Sequence, residues 1–371
     1  MATPLLLAGL AGLWAERVGI VNIAIEGMMV VGSWFGGWGA WHWGSWAGIG
    51  IAILAGVVVG LLHAIATVHF NVDHAVAGIA VNILAAGTTE YLSIITFKGV
   101  KGAGESQSPP GKGGYGEFDM PFLTGGRIGN WSSPDLLGWI EKRHNIPLIP
   151  DLAGFLKGVL SDLYVPTIVA LALVPASMFV IWRTRFGLRM RASGESPQAG
   201  ESLGVRINKI RYQAMAVSGG LAAFGGAYLS CVFTNSYRQG QVAGQGYIGM
   251  ATTTFGNWMP LGVLRGALVF GFPSALKYRD EKNVPALFLV VFIIFLLVGL
   301  YMLIRKRTTA TIVCASISVL GLVAYITIDK VPQQWVAATP YLVTLFVLAG
   351  ARQKLRGPRH AGLPYRPGEN H

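Results

Sequence analysis

The stretch Trp46–Val68, WAGIGIAILAGVVVGLLHAIATV, runs for 23 residues with no Asp, Glu, Lys or Arg. A helix of that length rises about 35 Å, enough to cross a bilayer hydrocarbon core of about 30 Å. Comparable apolar runs recur at Val18–Trp43, Ala75–Phe97, Leu163–Trp182, Tyr212–Phe233, Leu261–Leu276, Val284–Ile304, Thr309–Ile328 and Trp335–Ala351. Ala2–Trp14 is too short to cross, and the Gly- and Thr-rich Val242–Trp258 reads as a short or broken helix. The pattern predicts an all-α polytopic membrane protein of about 10–11 segments, some short or broken, forming one membrane domain over 1–371.

Composition agrees. Of 371 residues, 53% are hydrophobic and 12% charged, about half the charge usual in soluble domains. Mean hydropathy is +0.52. These values exclude a disordered chain. The net charge of +12 reads as basic loops held at one membrane face rather than as a nucleic-acid surface. The two cysteines, Cys231 and Cys314, lie far apart in apolar runs and form neither a disulfide framework nor a metal pattern.

Three interruptions organise the chain. Residues 98–162 form a long loop of zero net charge; residues 183–211 form a loop of net +5; residues 352–371 form a tail of net +4. With the +3 turn Arg305-Lys306-Arg307, the basic segments alternate correctly if all face the cytoplasm, which puts 98–162 outside. Trp34, Trp38, Trp41, Trp43 and Trp46 read as an interfacial anchoring belt. The pairs Gly32/Gly36, Gly56/Gly60 and Gly262/Gly266 suit close helix approach in lipid.

Catalytic chemistry finds no constellation, and no cofactor or metal site is evident. Gly244-Gln245-Gly246-Tyr247-Ile248-Gly249 matches a dinucleotide pattern, but no βαβ unit surrounds it. His69, Asp73 and His74 sit at a helix start, where capping by Asp73 outweighs a metal. Polar residues inside apolar runs are more informative, because each is costly there. They are Asn22, Glu26, Asn82, Glu90, Thr252, Thr253, Thr254 and Asn257. Lining a solute path and hydrogen-bonding the bundle together are equally compatible with Glu26 and Asn82.

The basic loop is the sharpest feature. Within Arg185–Val205, Ser196 can cap a short helix with Pro197 at its first position, and Gly204 can end it. Such a helix presents Ala199 and Leu203, more than topology alone requires, and reads as a docking element.

At these residues the chain resembles the permease subunits of bacterial ABC importers, in the group serving nucleosides and simple sugars, related to branched-chain amino-acid permeases. Four stretches carry the resemblance: Glu16–Met29, Val76–Leu84, the basic loop running on to Ser218-Gly219-Gly220-Leu221-Ala222, and Gly246–Ala251 through Phe255–Gly262. The ending Gly362-Leu363-Pro364-Tyr365 is also similar.

The resemblance implies an ABC importer permease fold in the bacterial inner membrane. It also implies a small polar solute, most simply a nucleoside, moved by alternating access. The expected partners are a cytoplasmic ABC ATPase, a second permease subunit in a heterodimer, and an extracytoplasmic substrate-binding lipoprotein; nucleic acid is not among them. The ATPase would dock on a coupling loop containing Gly187, Arg189, Arg191, Gly194, Glu195, Ser196, Pro197, Ala199, Leu203 and Gly204. Asn22, Glu26, Asn82, Thr252, Phe255 and Asn257 would line the path or support its broken helices. The chain departs from the group in starting inside what is usually the first helix, in its long 98–162 loop, and in an additional hairpin over 284–328. The alternatives are a ribose or other simple-sugar permease of the same group and, from another class, an ion-coupled carrier using Glu26 or Glu90.

Overall fold

The computed structural model describes residues 1–118, 123–125, 127–128, 131–141, 163–276, 286–304, 308–328, 331–332, 334, 338 and 356–366. The turn 305–307, most of the expected last segment 335–351, residues 142–162 of the long loop, and residues 352–355 and 367–371 of the tail lie outside them.

Helices dominate. They are α1 (Ala2–Glu16), α2 (Ile25–Trp43), α3 (Ser45–Ala64), α4 (His74–Phe97), α5 (Leu136–Glu141), α6 (Val165–Arg183), α7 (Arg185–Glu195), α8 (Pro197–Ser202), α9 (Ile207–Ala227), α10 (Gln245–Phe255), α11 (Pro260–Leu276), α12 (Ala286–Ile304) and α13 (Thr308–Thr327). Wider π-helical turns extend α3 over Ile65–His69 and α9 over Tyr228–Phe233. Among the described residues four helices are long and apolar enough to cross a membrane: Ser45–His69, His74–Phe97, Val165–Arg183 and Ile207–Phe233. Shorter apolar helices, Ala2–Glu16 and Pro260–Ala275 among them, accompany these. The strands are two-residue ribbons: β1 (Glu117–Phe118) pairs with β4 (Leu163–Tyr164), and β2 (Arg127–Ile128) with β3 (Trp131–Ser132).

Two compact units divide the chain. One comprises Thr3–Ala267 and Lys354–His371; the other comprises Met1–Ala2 and Leu268–Gln353. In the second, α12 and α13 are joined where Ser318 Oγ donates to the Phe292 carbonyl at 2.9 Å.

The larger unit is built on backbone contact between α2, α3 and α9. A Cβ on Gly226 would fall 1.9 Å from the Met29 carbonyl oxygen; one on Gly32 would fall 2.2 Å from that of Ala223. A Cβ on Gly56 would fall 2.3 Å from the Gly219 oxygen. Lipid tails supply no hydrophobic drive between helices, so this close packing supplies van der Waals attraction instead. Asp73 caps α4 as expected, its carboxylate accepting from the Ala75 and Val76 amides at 2.9 and 3.0 Å.

Two expectations change. The apolar run Val18–Trp43 is not one helix: α2 starts only at Ile25, and residues 17–24 are irregular. Hydropathy averaged over the run does not register this break, because Val18, Ile20, Val21, Ile23 and Ala24 among the unwound residues are themselves apolar. Trp34 is not an interfacial anchor. It is 3% exposed, clusters with Phe97 and Tyr237, and donates through Nε1 to Ser93 Oγ at 3.0 Å. Trp43 and Trp46 do remain exposed. The start of the long loop is well anchored: Ser108 and Tyr237 bond reciprocally through backbone and side chain, and the Tyr115 hydroxyl donates to the Ser45 carbonyl at 2.8 Å.

Candidate functional site

The site grows from the irregular residues between α1 and α2. Backbone without helical partners must be satisfied by other protein groups at membrane depth, and the neighbouring side chains do so here. The Ala24 amide donates to Asn22 Oδ1 at 3.1 Å, and the Val21 amide to His74 Nδ1 at 3.1 Å. Asn82 Nδ2 donates to the Ile23 carbonyl at 3.0 Å, while its Oδ1 accepts from the Gly27 amide at 2.7 Å. Asn22 is wholly buried; its Nδ2 donates to Ser218 Oγ at 2.9 Å, and Ser218 passes the link to the Ala11 carbonyl at 2.7 Å.

Glu26 stands in the first turn of α2 and holds the start of another helix. Its carboxylate oxygens accept from the Gly244 amide at 2.8 Å and the Gly246 amide at 2.7 Å. These are free donors at the N-terminus of α10, where the helix dipole also favours an anion. The approach requires glycine: a Cβ on Gly246 would lie 2.6 Å from Glu26 Cα. The next residue, Tyr247, accepts from Asn82 Nδ2 on its hydroxyl at 3.0 Å. Glu26, Asn82, Gly246 and Tyr247 therefore form one cluster.

Its depth follows from helix rise. Asn82 lies eight residues into α4 and Ser218 eleven into α9, about 12 Å and about 17 Å from the helix starts. Glu26 and Asn82 are nevertheless only half-buried. A carboxylate and an amide are costly against lipid, and here both are held by backbone groups of neighbouring elements.

The other expected site residues separate from this cluster. Thr252 is wholly buried and donates to the Gly249 carbonyl at 2.6 Å; Thr253 donates to the Gly9 carbonyl at 2.7 Å. Both pack α10 on α1. Phe255 is half-buried at the end of α10. Asn257 follows in a left-handed conformation, φ +52°, and its Oδ1 accepts from the Arg356 amide at 2.7 Å. It joins a junction in which Trp258 Nε1 donates to Glu16 and Arg17 Nη2 donates to the Trp258 carbonyl at 2.5 Å.

The basic loop folds as α7 and α8. Thr184 Oγ1 caps α7, accepting from the Gly187 amide at 3.1 Å. Pro197 opens α8 and Gly204, φ +79°, follows its end. Ser196 occupies the cap position but makes no side-chain cap bond. Gly187, Gly194 and Pro197 are buried and Arg191 half-buried, whereas Leu188, Arg189, Glu195 and Ala199 are exposed. Leu203 is 86% exposed. A cavity of about 370 Å³ lined by Glu201, Gly204, Arg206, Lys209 and Tyr365 opens beside α8.

This element is tied to the break. Ser193 Oγ donates to the Val18 carbonyl at 2.9 Å, and a Cβ on Gly194 would fall 2.5 Å from the Arg17 oxygen. The tail completes the clamp: the His360 amide donates to the Gly194 carbonyl at 2.9 Å, and the Gly362 amide to that of Gly19 at 3.0 Å. The guanidinium of Arg211, 1% exposed, lies over the Tyr365 ring at 5.3 Å. Sequence reasoning missed Tyr247, Ser193 and Ser218 as linking residues. Their spacing carries no signal, because each acts on a partner more than 160 residues away.

Broken helices meeting at membrane depth, with an exposed helical tip hydrogen-bonded to the break, define a multi-pass membrane transport subunit. Residues 1–300 match the family described as branched-chain amino acid transport system / permease component, and the chain belongs to that family. It is 28% identical over 375 residues to the guanosine ABC transporter permease protein NupQ of Bacillus subtilis, covering 99% of this chain and 94% of that one. It is 29% identical over 300 residues to the nucleoside ABC transporter permease protein NupC of Lactococcus lactis, covering 78% and 84%. It is 31% identical over 283 residues to the putative glucose ABC transporter permease protein TsgC13 of Haloferax volcanii, covering 76% and 75%. No solved structure matches.

Proposed function

We propose that this chain is the nucleoside-conducting permease of an ATP-driven importer in the bacterial inner membrane. One observation carries the reading: Ser193, at the end of the exposed basic element, is hydrogen-bonded to Val18 in the connector that leads to Asn22 and Glu26. A push on α7–α8 is thereby delivered to the broken helices without any covalent chemistry in this chain. Residues 98–162 lie outside and receive a binding lipoprotein; α7, α8 and the tail face the cytoplasm.

The ATPase docks on the surface formed by Leu188, Arg189, Ala199 and Leu203. Closure of the ATPase dimer on ATP moves that surface, and two permease subunits rock between inward and outward openings. Two guanosine permeases of Bacillus subtilis, NupQ and NupP, are both similar to this chain, which supports pairing with a second, different permease. Nucleoside is favoured over hexose because the similarity to the guanosine permease extends over 99% of the chain.

The test is reconstitution of this chain with its partner permease, ATPase and binding protein in vesicles. Guanosine uptake is expected to require ATP and to persist when ion gradients are collapsed. Uptake by this chain alone, driven by an ion gradient, overturns the proposal. Uptake of glucose without guanosine retains the importer and replaces its substrate.

A further inference from the structure

The chain carries 17 Phe, 12 Tyr and 11 Trp, any of which a nucleobase can stack upon. The geometry points to Tyr247 as the aromatic platform that receives the flat ring of the solute during passage, an inference that rests on the nucleoside reading above.

Tyr247 is fixed at both ends. Its backbone follows directly on Gly246, whose amide is held by Glu26 at 2.7 Å. Its hydroxyl is held by Asn82 at 3.0 Å. Between these anchors Tyr247 is 47% exposed. A ring oriented before the ligand arrives loses little further freedom on binding, which is the condition for an effective platform. Its surroundings suit the rest of a nucleoside. The Glu26 carboxylate and Asn82 Oδ1 keep acceptor lone pairs for sugar hydroxyls beside an apolar face for the base, while both Asn82 Nδ2 hydrogens are taken by Ile23 and Tyr247.

Six other exposed aromatics lack this setting. Trp43 packs edge-on against Trp38, Trp46 against Tyr115 and Phe70 against His69, so these three rest on other rings. Phe179 and Phe272 have no polar atom to fix the ring. Tyr91 lies nine residues beyond Asn82 on α4, about 13 Å further along the axis. Sequence alone could not select among these rings; the bonds from Glu26 and Asn82 do.

The test uses the complete importer in vesicles and presents a purine and a pyrimidine nucleoside, guanosine and uridine, in competition. The binding protein is the same throughout, so a change in the uptake ratio between variants belongs to the permease. Purines offer the larger stacking area. Removing an aromatic platform from a bound base costs a factor of roughly 5 to 150. Tyr247→Leu is expected to lower guanosine uptake by roughly fivefold or more and to shift the ratio toward uridine. Tyr247→Phe keeps the ring but loses the bond from Asn82 that fixes it, and should place both guanosine uptake and the ratio between those of the parent and the Leu variant. Tyr247→Trp enlarges the ring and should shift the ratio toward guanosine.

A purely structural role for Tyr247, or coverage of its ring by the second permease, would depress both substrates together. An unchanged ratio in both the Leu and Trp variants overturns the inference, whatever the total uptake. If the Leu variant fails to reach the membrane, the Trp ratio alone decides it in the same way. Should the parent importer carry glucose and no nucleoside, the substrate reading fails, and this inference falls with it.

Discussion

The carboxylate of Glu26 accepts the amide hydrogen of Gly246 at 2.7 Å. With the companion bond from the Gly244 amide, it joins the first turn of α2 to the first turn of α10 across 220 residues of sequence. Both turns sit beside irregular backbone, so the position of each depends on the other.

Replacing Glu26 with Gln keeps the shape but removes the negative charge from a helix N-terminus, an interaction worth roughly 0.3–2 kcal/mol. Uptake per inserted molecule should fall several-fold while membrane abundance changes little. Quantitative immunoblotting alongside uptake separates these effects. A loss of abundance alone would assign Glu26 to bundle assembly.

Gly226→Val should damage assembly itself. Its Cβ would have to enter the space of the Met29 carbonyl, 1.9 Å away, and neither backbone can move without separating α2 from α9. Overpacking of this kind costs about 1–3 kcal/mol or more. Detergent-solubilised protein should melt several degrees lower and elute partly aggregated. Parental melting behaviour would show that the two helices slide apart freely.

Leu203→Asp should act oppositely. At 86% exposure the side chain contributes little to this chain's own packing, and surface changes of this kind usually stay within about 0.5 kcal/mol. Insertion and melting should be unaltered, while ATP-driven uptake is lost because the ATPase no longer seats. Co-purification of the ATPase with the variant, together with full uptake, would remove Leu203 from the docking surface.

Ser193→Ala cuts the bond to the Val18 carbonyl, a change of about 1 kcal/mol in a buried position. The expected result is loose coupling, with ATP hydrolysis retained and solute moved per ATP reduced. Measuring both in the same vesicles decides the matter. An unaltered ratio would mean that the tail contacts of Gly194 and Gly19 suffice to carry the motion.

The sequence exposes part of this arrangement directly. Asp73 as the cap of α4, Pro197 and Gly204 as the bounds of α8, and the exposure of Ala199 and Leu203 are local matters. Cap, φ restriction and hydrophobic spacing are all encoded within one or two turns. Asn22, Glu26 and Asn82 stand out for a similar reason, since polar groups in apolar runs are expensive wherever they occur. Their roles are less legible. Asn22 and Asn82 look alike in sequence, yet one is sealed inside the bundle and the other opens onto the cluster with Tyr247. Trp34 reads as an anchor until Ser93 and Phe97 are seen to enclose it.

Sequence by itself determined that this chain is a helical membrane protein, where its runs can span, and which loops carry its charge, because transfer of apolar length and charge into lipid is a sum over neighbouring residues. Tertiary structure decided that residues 17–24 are unwound, that Glu26 belongs to α10 as much as to α2, and that Ser193 reaches Val18. Those bonds join partners far apart in the chain, and their energies exist only once the helices have packed.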